Sequence, residues 1–261
     1  MSGFVLDPGV LVILGVIALS AFATEGAIGF GGTVLAASIG AQAIDLDILL
    51  PAFVPLNLVM STWLLTRGWS VVAWRMLARE VAPAVGAGMV VGLVLFHLPG
   101  KTVLSLVFGV FVIGLAVLQL ARPADAPLAR RWQLVLLGLG GIAHGLFGTG
   151  GPMIVYVVRR RLPDKRAFRS TLAVLWLSLN VLLLANFQSK HLYTRTVAET
   201  LGVIALTIVP GLYLGERIHH KLDAARFERV VWIVLLLAGV ALAVRSGFML
   251  AHPPAATTPP A

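Results

Sequence analysis

Ten apolar segments, separated by short polar loops, follow one another along this chain of 261 residues. A helix needs about 20 apolar residues to cross a hydrocarbon core roughly 30 Å thick, and most of the segments approach that length. The composition agrees, because 59% of the residues are hydrophobic and only 12% are charged, whereas soluble domains carry about 25% charged residues. The pattern predicts an all-α integral membrane protein in which residues 1–261 form a single transmembrane domain.

Two of the ten segments are too short to cross the membrane. The ten are predicted near Val10–Ile28, Thr33–Ile44, Ile48–Thr66, Val81–Leu98, Thr102–Leu120, Trp132–Phe147, Pro152–Val158, Thr171–Phe187, Val197–Leu214 and Val230–Val244. The short ones, Thr33–Ile44 and Pro152–Val158, are interpreted as the second arms of broken or re-entrant helices. The tail at about 252–261 is rich in proline, alanine and threonine and is predicted to be disordered.

A glycine cluster precedes each short segment. The clusters are Gly26-Ala27-Ile28-Gly29-Phe30-Gly31-Gly32 and Gly145-Leu146-Phe147-Gly148-Thr149-Gly150-Gly151. They match position by position, and Glu25 before the first falls on His144 before the second. Two matched interruptions in a membrane chain indicate the binding site of a transporter, because broken helices leave backbone groups free to hold a solute.

The match between the two halves extends beyond the glycines. An asparagine lies ten residues before a basic residue, and a proline lies five residues before a glycine, in each half: Asn57 and Arg67, Asn180 and Lys190, Pro83 and Gly88, Pro210 and Gly215. The chain is therefore predicted to contain two repeats, at about 8–120 and 130–246. Each repeat consists of one glycine-broken or re-entrant element followed by three transmembrane helices.

The distribution of positive charge predicts that the two repeats are inverted. If each broken element contributes an even number of crossings, one membrane side carries 16 lysines and arginines and the other 4 of the 20 in the chain. The larger group lies within 67–79, 122–131, 159–169 and 217–229. If each broken element crosses once, the division weakens to 11 and 9. Basic loops remain cytoplasmic, so the inverted arrangement is favoured, with both termini on the non-cytoplasmic side.

The chemistry of the breaks favours a small anion. Glycine lets a ligand approach the backbone closely, and a helix that restarts after a break directs free N–H groups and the positive end of its dipole at that break. If the two breaks enter from opposite sides, they meet in one cavity. The predicted substrate-binding residues are Gly29, Gly31, Gly32, Thr33, Gly148, Thr149, Gly150, Gly151, Asn57 and Asn180. The alternative is structural: glycines that let helices pack closely, and asparagines that bridge helices.

Glu25 and His144 are candidates for coupling transport to protons. Ionisable groups within membrane spans are costly and usually functional, and histidine changes its charge near neutral pH. The structural alternative is that Glu25 caps freed backbone amides and that His144 bonds to a neighbouring helix.

Several other functions are disfavoured. The formal charge of +9 lies in loops between apolar spans and not in a basic stripe, so nucleic acid is not an expected partner. The chain has no cysteine, and we predict neither a metal nor a cofactor. An intramembrane hydrolase needs a nucleophile beside its base, but the breaks contain no serine. We therefore predict that the protein is not an enzyme.

These motifs resemble the sulfite exporter TauE/SafE family. The resemblance rests on Gly26-x-x-Gly29-Phe30-Gly31-Gly32, on His144-Gly145-x-Phe147-Gly148-Thr149-Gly150-Gly151-Pro152 and on the two-repeat hydropathy over about 8–246. It implies a permease of the bacterial inner membrane that moves sulfite, sulfoacetate, thiosulfate or a related organosulfonate, usually outward. Thr33 stands where the second repeat has Pro152, so the two breaks differ chemically.

The sequence thus predicts a transporter that exports a small sulfur-containing anion by alternating access around a site at the membrane midplane. A passive small-anion channel is the main alternative, and a membrane assembly factor without a substrate is another. The lipid bilayer and the anionic solute are the expected partners. The identity of the anion, the coupling ion and the oligomeric state, including a homodimer, are left open.

Overall fold

A computed structural model describes residues 6–28, 30–66, 68–96, 101–121, 129–162, 164–221 and 224–251. Within these ranges all regular structure is helical, which confirms the predicted class. The α-helices are α1 (Pro8–Ile28), α2 (Gly32–Gly40), α3 (Leu46–Thr66), α4 (Trp74–Met76), α5 (Ala82–Leu95), α6 (Lys101–Ala121), α7 (Arg130–Phe147), α8 (Gly151–Arg161), α9 (Lys165–Ser189), α10 (Arg195–Ala205), α11 (Ile208–Lys221) and α12 (Ala224–Ala251). The predicted positions Gly29 and Arg67 and the tail 252–261 lie outside the described residues.

Five described helical stretches are long and apolar enough to cross a membrane. They are Pro8–Ala27, Leu46–Thr66, Trp74–Leu95, Arg166–Ser189 and Trp232–Ala251. A sixth is obtained if Arg195–Ala205 and Ile208–Ile218, which are bent by 42° at a short break, count as one span. The protein is therefore a multi-pass membrane protein.

Two matched prolines follow the places where helices depart from regular α geometry. Pro83 comes just after Leu77–Val81, which is π-helical and joins α4 to α5. Pro210 comes just after the break between α10 and α11. A proline has no N–H to donate to the carbonyl four residues earlier, so the helix widens or bends at that point.

The two halves of the chain pack against each other through reciprocal helix pairs. Helix α1 packs on α11, and its sequence counterpart α7 packs on α5, while α3 packs on α9 and α6 on α12. Glycines allow the closest approaches: a Cβ at Gly88 would lie 2.0 Å from the carbonyl oxygen of Gly138, and one at Gly215 would lie 2.5 Å from that of Ala23. Small residues are the usual means of close helix packing in membranes.

Aromatic residues hold both broken elements in the core. Phe147, the last residue of α7, is buried against Phe108 of α6, with ring centroids 4.5 Å apart. Phe22 of α1 packs on Phe53 of α3 at 5.7 Å. The broken helices α1 and α7 are therefore each packed against a neighbouring long helix.

Candidate functional site

Both glycine clusters interrupt a helix, as predicted. Helix α1 ends at Ile28 and α2 begins at Gly32, while α7 ends at Phe147 and α8 begins at Gly151. Gly31 has φ +89° and Gly148 has φ +63°, which is the left-handed region that glycine enters without steric cost. The backbone can adopt this conformation at the two breaks because glycine occupies both positions.

Each break lies about halfway along a neighbouring long helix. Helix α2 has nine residues and a length of roughly 13 Å, and Thr33 near its start bonds to Asn57, eleven residues beyond the first residue of α3. At the other break, a Cβ at Gly151 would lie 3.9 Å from the ring of Trp176, which is eleven residues beyond the first residue of α9. The short arms thus reach from the ends of α3 and α9 to their middles.

The two breaks meet. A Cβ at Gly148 would lie 3.9 Å from Cγ2 of Thr33, and a Cβ at Gly151 would lie 3.9 Å from the Cβ of Phe30. The predicted proximity of the two clusters is confirmed for these residues, although 119 positions separate matched members.

A cavity with an empty volume of about 330 Å³ lies where the breaks meet. Most of the predicted site residues line it, together with Phe30 and Trp176: Glu25, Gly31, Thr33, Asn57, His144, Gly148, Thr149, Gly150, Gly151 and Asn180. Gly32 is not one of the lining residues. A Cβ there would lie 2.5 Å from the carbonyl oxygen of Ala21, so Gly32 serves the contact between α2 and α1.

The cavity wall carries buried polar groups. Asn57 and Asn180 are each only 3% exposed, and Asn57 donates from Nδ2 to the hydroxyl of Thr33 at 3.0 Å. The Oδ1 atoms of both asparagines are buried without a hydrogen bond to the described residues. These groups give an otherwise apolar interior the capacity to bind a polar solute.

His144 forms part of the wall with an aromatic partner that the sequence did not suggest. Its ring stacks on Trp176, with centroids 5.8 Å apart and planes at 14°. The side chain of Asn180 lies beside the imidazole, but neither ring nitrogen is in hydrogen-bonding geometry with a described residue. The available signal for Trp176 was its spacing, since it precedes Asn180 by four residues and so shares its helix face.

Glu25 lies beside a positive charge that was assigned to a cytoplasmic loop. Arg169, within α9, donates to the carbonyl oxygen of Gly26 at 3.3 Å, and its charge acts on the Glu25 carboxylate. Arg169 therefore connects α9 to the end of α1 that leads into the first break.

In the part of the chain that the structure describes, no three His, Cys, Asp or Glu side chains lie close enough together to form a metal site.

The glycines of the clusters divide into two groups. Gly145 precedes the second break and allows close packing on α5, since a Cβ there would lie 2.5 Å from the carbonyl oxygen of Met89, so the structural interpretation applies to it. A Cβ at Gly26 would make only ordinary contacts with α11, the nearest at 3.4 Å. Gly31, Gly148 and Gly151 border the cavity without a close clash. Gly150 does both, because it lines the cavity while a Cβ there would lie 1.8 Å from the carbonyl oxygen of Gly140.

Comparison with known proteins identifies a family for this chain. The model of the family described as "Sulfite exporter TauE/SafE" matches residues 13–242, which include both breaks. The chain is 24% identical, over 174 residues, to the probable inner membrane transporter protein TsaS of Comamonas testosteroni, covering 66% of this chain and 72% of that protein. No solved structure matches the chain significantly. The chain therefore belongs to the sulfite exporter TauE/SafE family of membrane transporters.

Proposed function

We propose that this protein is a secondary transporter of the bacterial inner membrane that exports a small sulfur-containing anion, such as sulfite, sulfoacetate or a related organosulfonate. The observation that carries the proposal is the convergence of two uncapped helix starts and two buried asparagines on one cavity. The family, and the inner-membrane assignment of the relative from Comamonas testosteroni, support the location and the substrate class.

The backbone supplies the first anion-binding element. Neither α2 nor α8 has a side-chain hydrogen bond at its N-cap, and the first N–H groups of a helix have no partner within that helix. The positive ends of both helix dipoles point at the cavity, so an anion gains from both. A cation would meet the same dipoles unfavourably.

The asparagines supply the second element. Asn57 now donates to Thr33, and a half-turn of its amide preserves that bond with the hydroxyl as donor, which turns the NH₂ group into the cavity. Asn180 stands on the opposite wall beside His144. Two amide groups and the helix starts can then surround the three oxygens of a sulfite or sulfonate.

Alternating access follows from two inverted repeats that move around this site. The reciprocal pairing of α1 with α11 and of α7 with α5 supports two equivalent units, and the charge count supports their opposite orientation with both termini outside.

Because the chain has no natural cysteine, single introduced cysteines test the orientation of the loops. Ala43→Cys should react with an impermeant maleimide from outside, and Arg166→Cys only after permeabilisation; labelling of both from one side contradicts the inversion.

Glu25 and His144 are the proposed proton-coupling groups. Both border the cavity, and Glu25 is held near Arg169, so a proton on the carboxylate changes the charge that the anion meets. Glu25→Gln should remove acceleration of export by an imposed proton gradient while leaving anion binding measurable. Equal acceleration in wild type and variant would assign the coupling elsewhere.

The direct test of the function is anion flux through purified protein in liposomes, combined with thermal unfolding in sulfite, sulfate, thiosulfate, sulfoacetate, taurine or acetate. A ligand at 100 times its Kd stabilises the folded state by about 2.7 kcal/mol. Saturable sulfite or sulfonate flux, lost in Asn180→Leu but kept in Ser178→Ala on the exposed side of the same helix, supports the proposal. Flux that never saturates would indicate a channel, and flux unchanged in Asn180→Leu would contradict the site.

A further inference from the structure

A second cavity lies at the other end of α7 and has no part in the transport site. Its empty volume is about 400 Å³, and it is formed where the π-helical Leu77–Val81 meets the start of α7 and the end of α8. The first half of the chain and the broken element of the second half therefore share this pocket.

Three arginines from three different elements line the pocket: Arg79, Arg130 and Arg161. Glu80 is the only carboxylate among the lining residues, so these charges sum to +2. Arg161 is occupied, since it pairs with Glu80 and donates to Oε1 of Gln133 at 2.6 Å. Arg79 makes no hydrogen bond or ion pair with any described residue. The pocket thus has positive charge to offer to an anion.

The surface beside the pocket is apolar. Leu134 lines the pocket and is 45% exposed, and further along α7 the large side chains of Val135 and Leu139 are also exposed. Trp132, one turn into α7, is 53% exposed, as is typical of side chains at the membrane interface. A guanidinium pocket lined by the exposed Leu134, with further exposed aliphatic side chains on the same helix, suits a molecule with an anionic head and apolar chains.

We propose that this pocket binds the headgroup of an anionic phospholipid on the cytoplasmic side of the membrane. Guanidinium groups bind phosphate oxygens through paired, charge-assisted hydrogen bonds, and basic pockets at the cytoplasmic ends of membrane helices recognise such headgroups. The phosphodiester contacts Arg79 and Arg130, whose charge also acts on Glu80, while Arg161 stays paired with Glu80. The acyl chains lie along the exposed face of α7. A bound lipid ties the Leu77–Val81 segment to α7 and α8 and so stabilises the fold.

The test compares two double variants with the same change in net charge. Arg79→Gln with Arg130→Gln removes two of the three pocket arginines, and Arg75→Gln with Arg229→Gln removes two exposed arginines that do not line the pocket. Thermal unfolding in detergent is measured with added phosphatidylglycerol, phosphatidylcholine or inorganic phosphate, and bound lipid is counted by native mass spectrometry.

We expect phosphatidylglycerol to raise the melting temperature of the wild type and of the control double variant. The pocket double variant should lose at least about a tenfold in apparent affinity for phosphatidylglycerol, since charge-assisted hydrogen bonds are lost. Equal loss in both pairs would show general surface attraction and overturn the proposal. Equal stabilisation by phosphatidylcholine would overturn the anionic headgroup, and equal stabilisation by inorganic phosphate would overturn the lipid.

Discussion

Replacing Gly150 by alanine should stop transport without preventing membrane insertion, because the added methyl group has no space beside α7. A Cβ at this position would lie 1.8 Å from the carbonyl oxygen of Gly140 and 2.7 Å from its carbon, whereas real Cβ contacts stay beyond 3.0 Å. The start of α8 or the middle of α7 must therefore retreat by about 1.2 Å. Neither neighbour is a flexible side chain that could turn away.

The displacement acts on stability and on binding. Overpacking of this kind costs about 1–3 kcal/mol of folding free energy. A shift of the α8 start would also displace the N–H groups that we propose hold the anion. Each charged hydrogen bond contributes roughly 1.5–3 kcal/mol, so its loss corresponds to about a tenfold weaker Kd or more. We therefore expect a lower melting temperature and at least a tenfold loss of sulfite binding.

The assay is sulfite flux and thermal unfolding of the purified variant in liposomes and detergent. Gly86→Ala on α5 is the matched control, because nothing lies within 4 Å of its Cβ position, and it should behave as wild type or be slightly more stable. Gly31→Ala separates backbone strain from crowding, since its φ is +89° but the space is open. A folded Gly150→Ala variant with wild-type flux would refute the role of the second break.

Three further substitutions test the cavity wall. Asn57→Leu should lower the free energy of unfolding by about 1–2 kcal/mol, because the hydrogen bond from Asn57 to Thr33 is lost, and it should weaken anion binding. Val59→Ala on the exposed side of α3 should do neither, and intact anion binding in Asn57→Leu would contradict a binding role for Asn57. Arg169→Gln should destabilise the protein more than Arg169→Lys, which keeps the charge beside Glu25, and equal melting temperatures would contradict that contact. Trp176→Ala should cost about 3–5 kcal/mol and admit larger organosulfonates, whereas Trp176→Phe should preserve selectivity; an unchanged substrate range in Trp176→Ala would argue against a wall role.

Much of the helical architecture could be predicted from hydropathy, since membrane thickness dictates span length. The segment predicted at Ile48–Thr66 corresponds to α3, which spans Leu46–Thr66. The two predicted short segments correspond to α2 and α8. The π-helical turn at Leu77–Val81 was not predicted, and the segment predicted at Val197–Leu214 is divided between α10 and α11 just before Pro210. A proline shows in the sequence that one backbone hydrogen bond is missing. Whether the helix then widens, bends or stays regular depends on the packing around it.

The part of the candidate site that could be predicted is the part built from residues matched between the two repeats. Four of the predicted glycines, both asparagines, Glu25 and His144 come together because matched breaks reach the middles of α3 and α9. Trp176 and Arg169 were missed for different reasons. The sequence of a membrane helix does not show whether a tryptophan faces lipid or an internal cavity, so Trp176 was not identified. Arg169 was counted among the loop charges because neighbouring basic residues hide where α9 begins.

Sulfite titration calorimetry tests most directly whether the two breaks form a single anion site. We expect one sulfite bound per chain, with binding lost equally in Asn57→Leu at the first break and in Asn180→Leu at the second. Two anions per chain, or binding that survives either substitution in a folded protein, would contradict it.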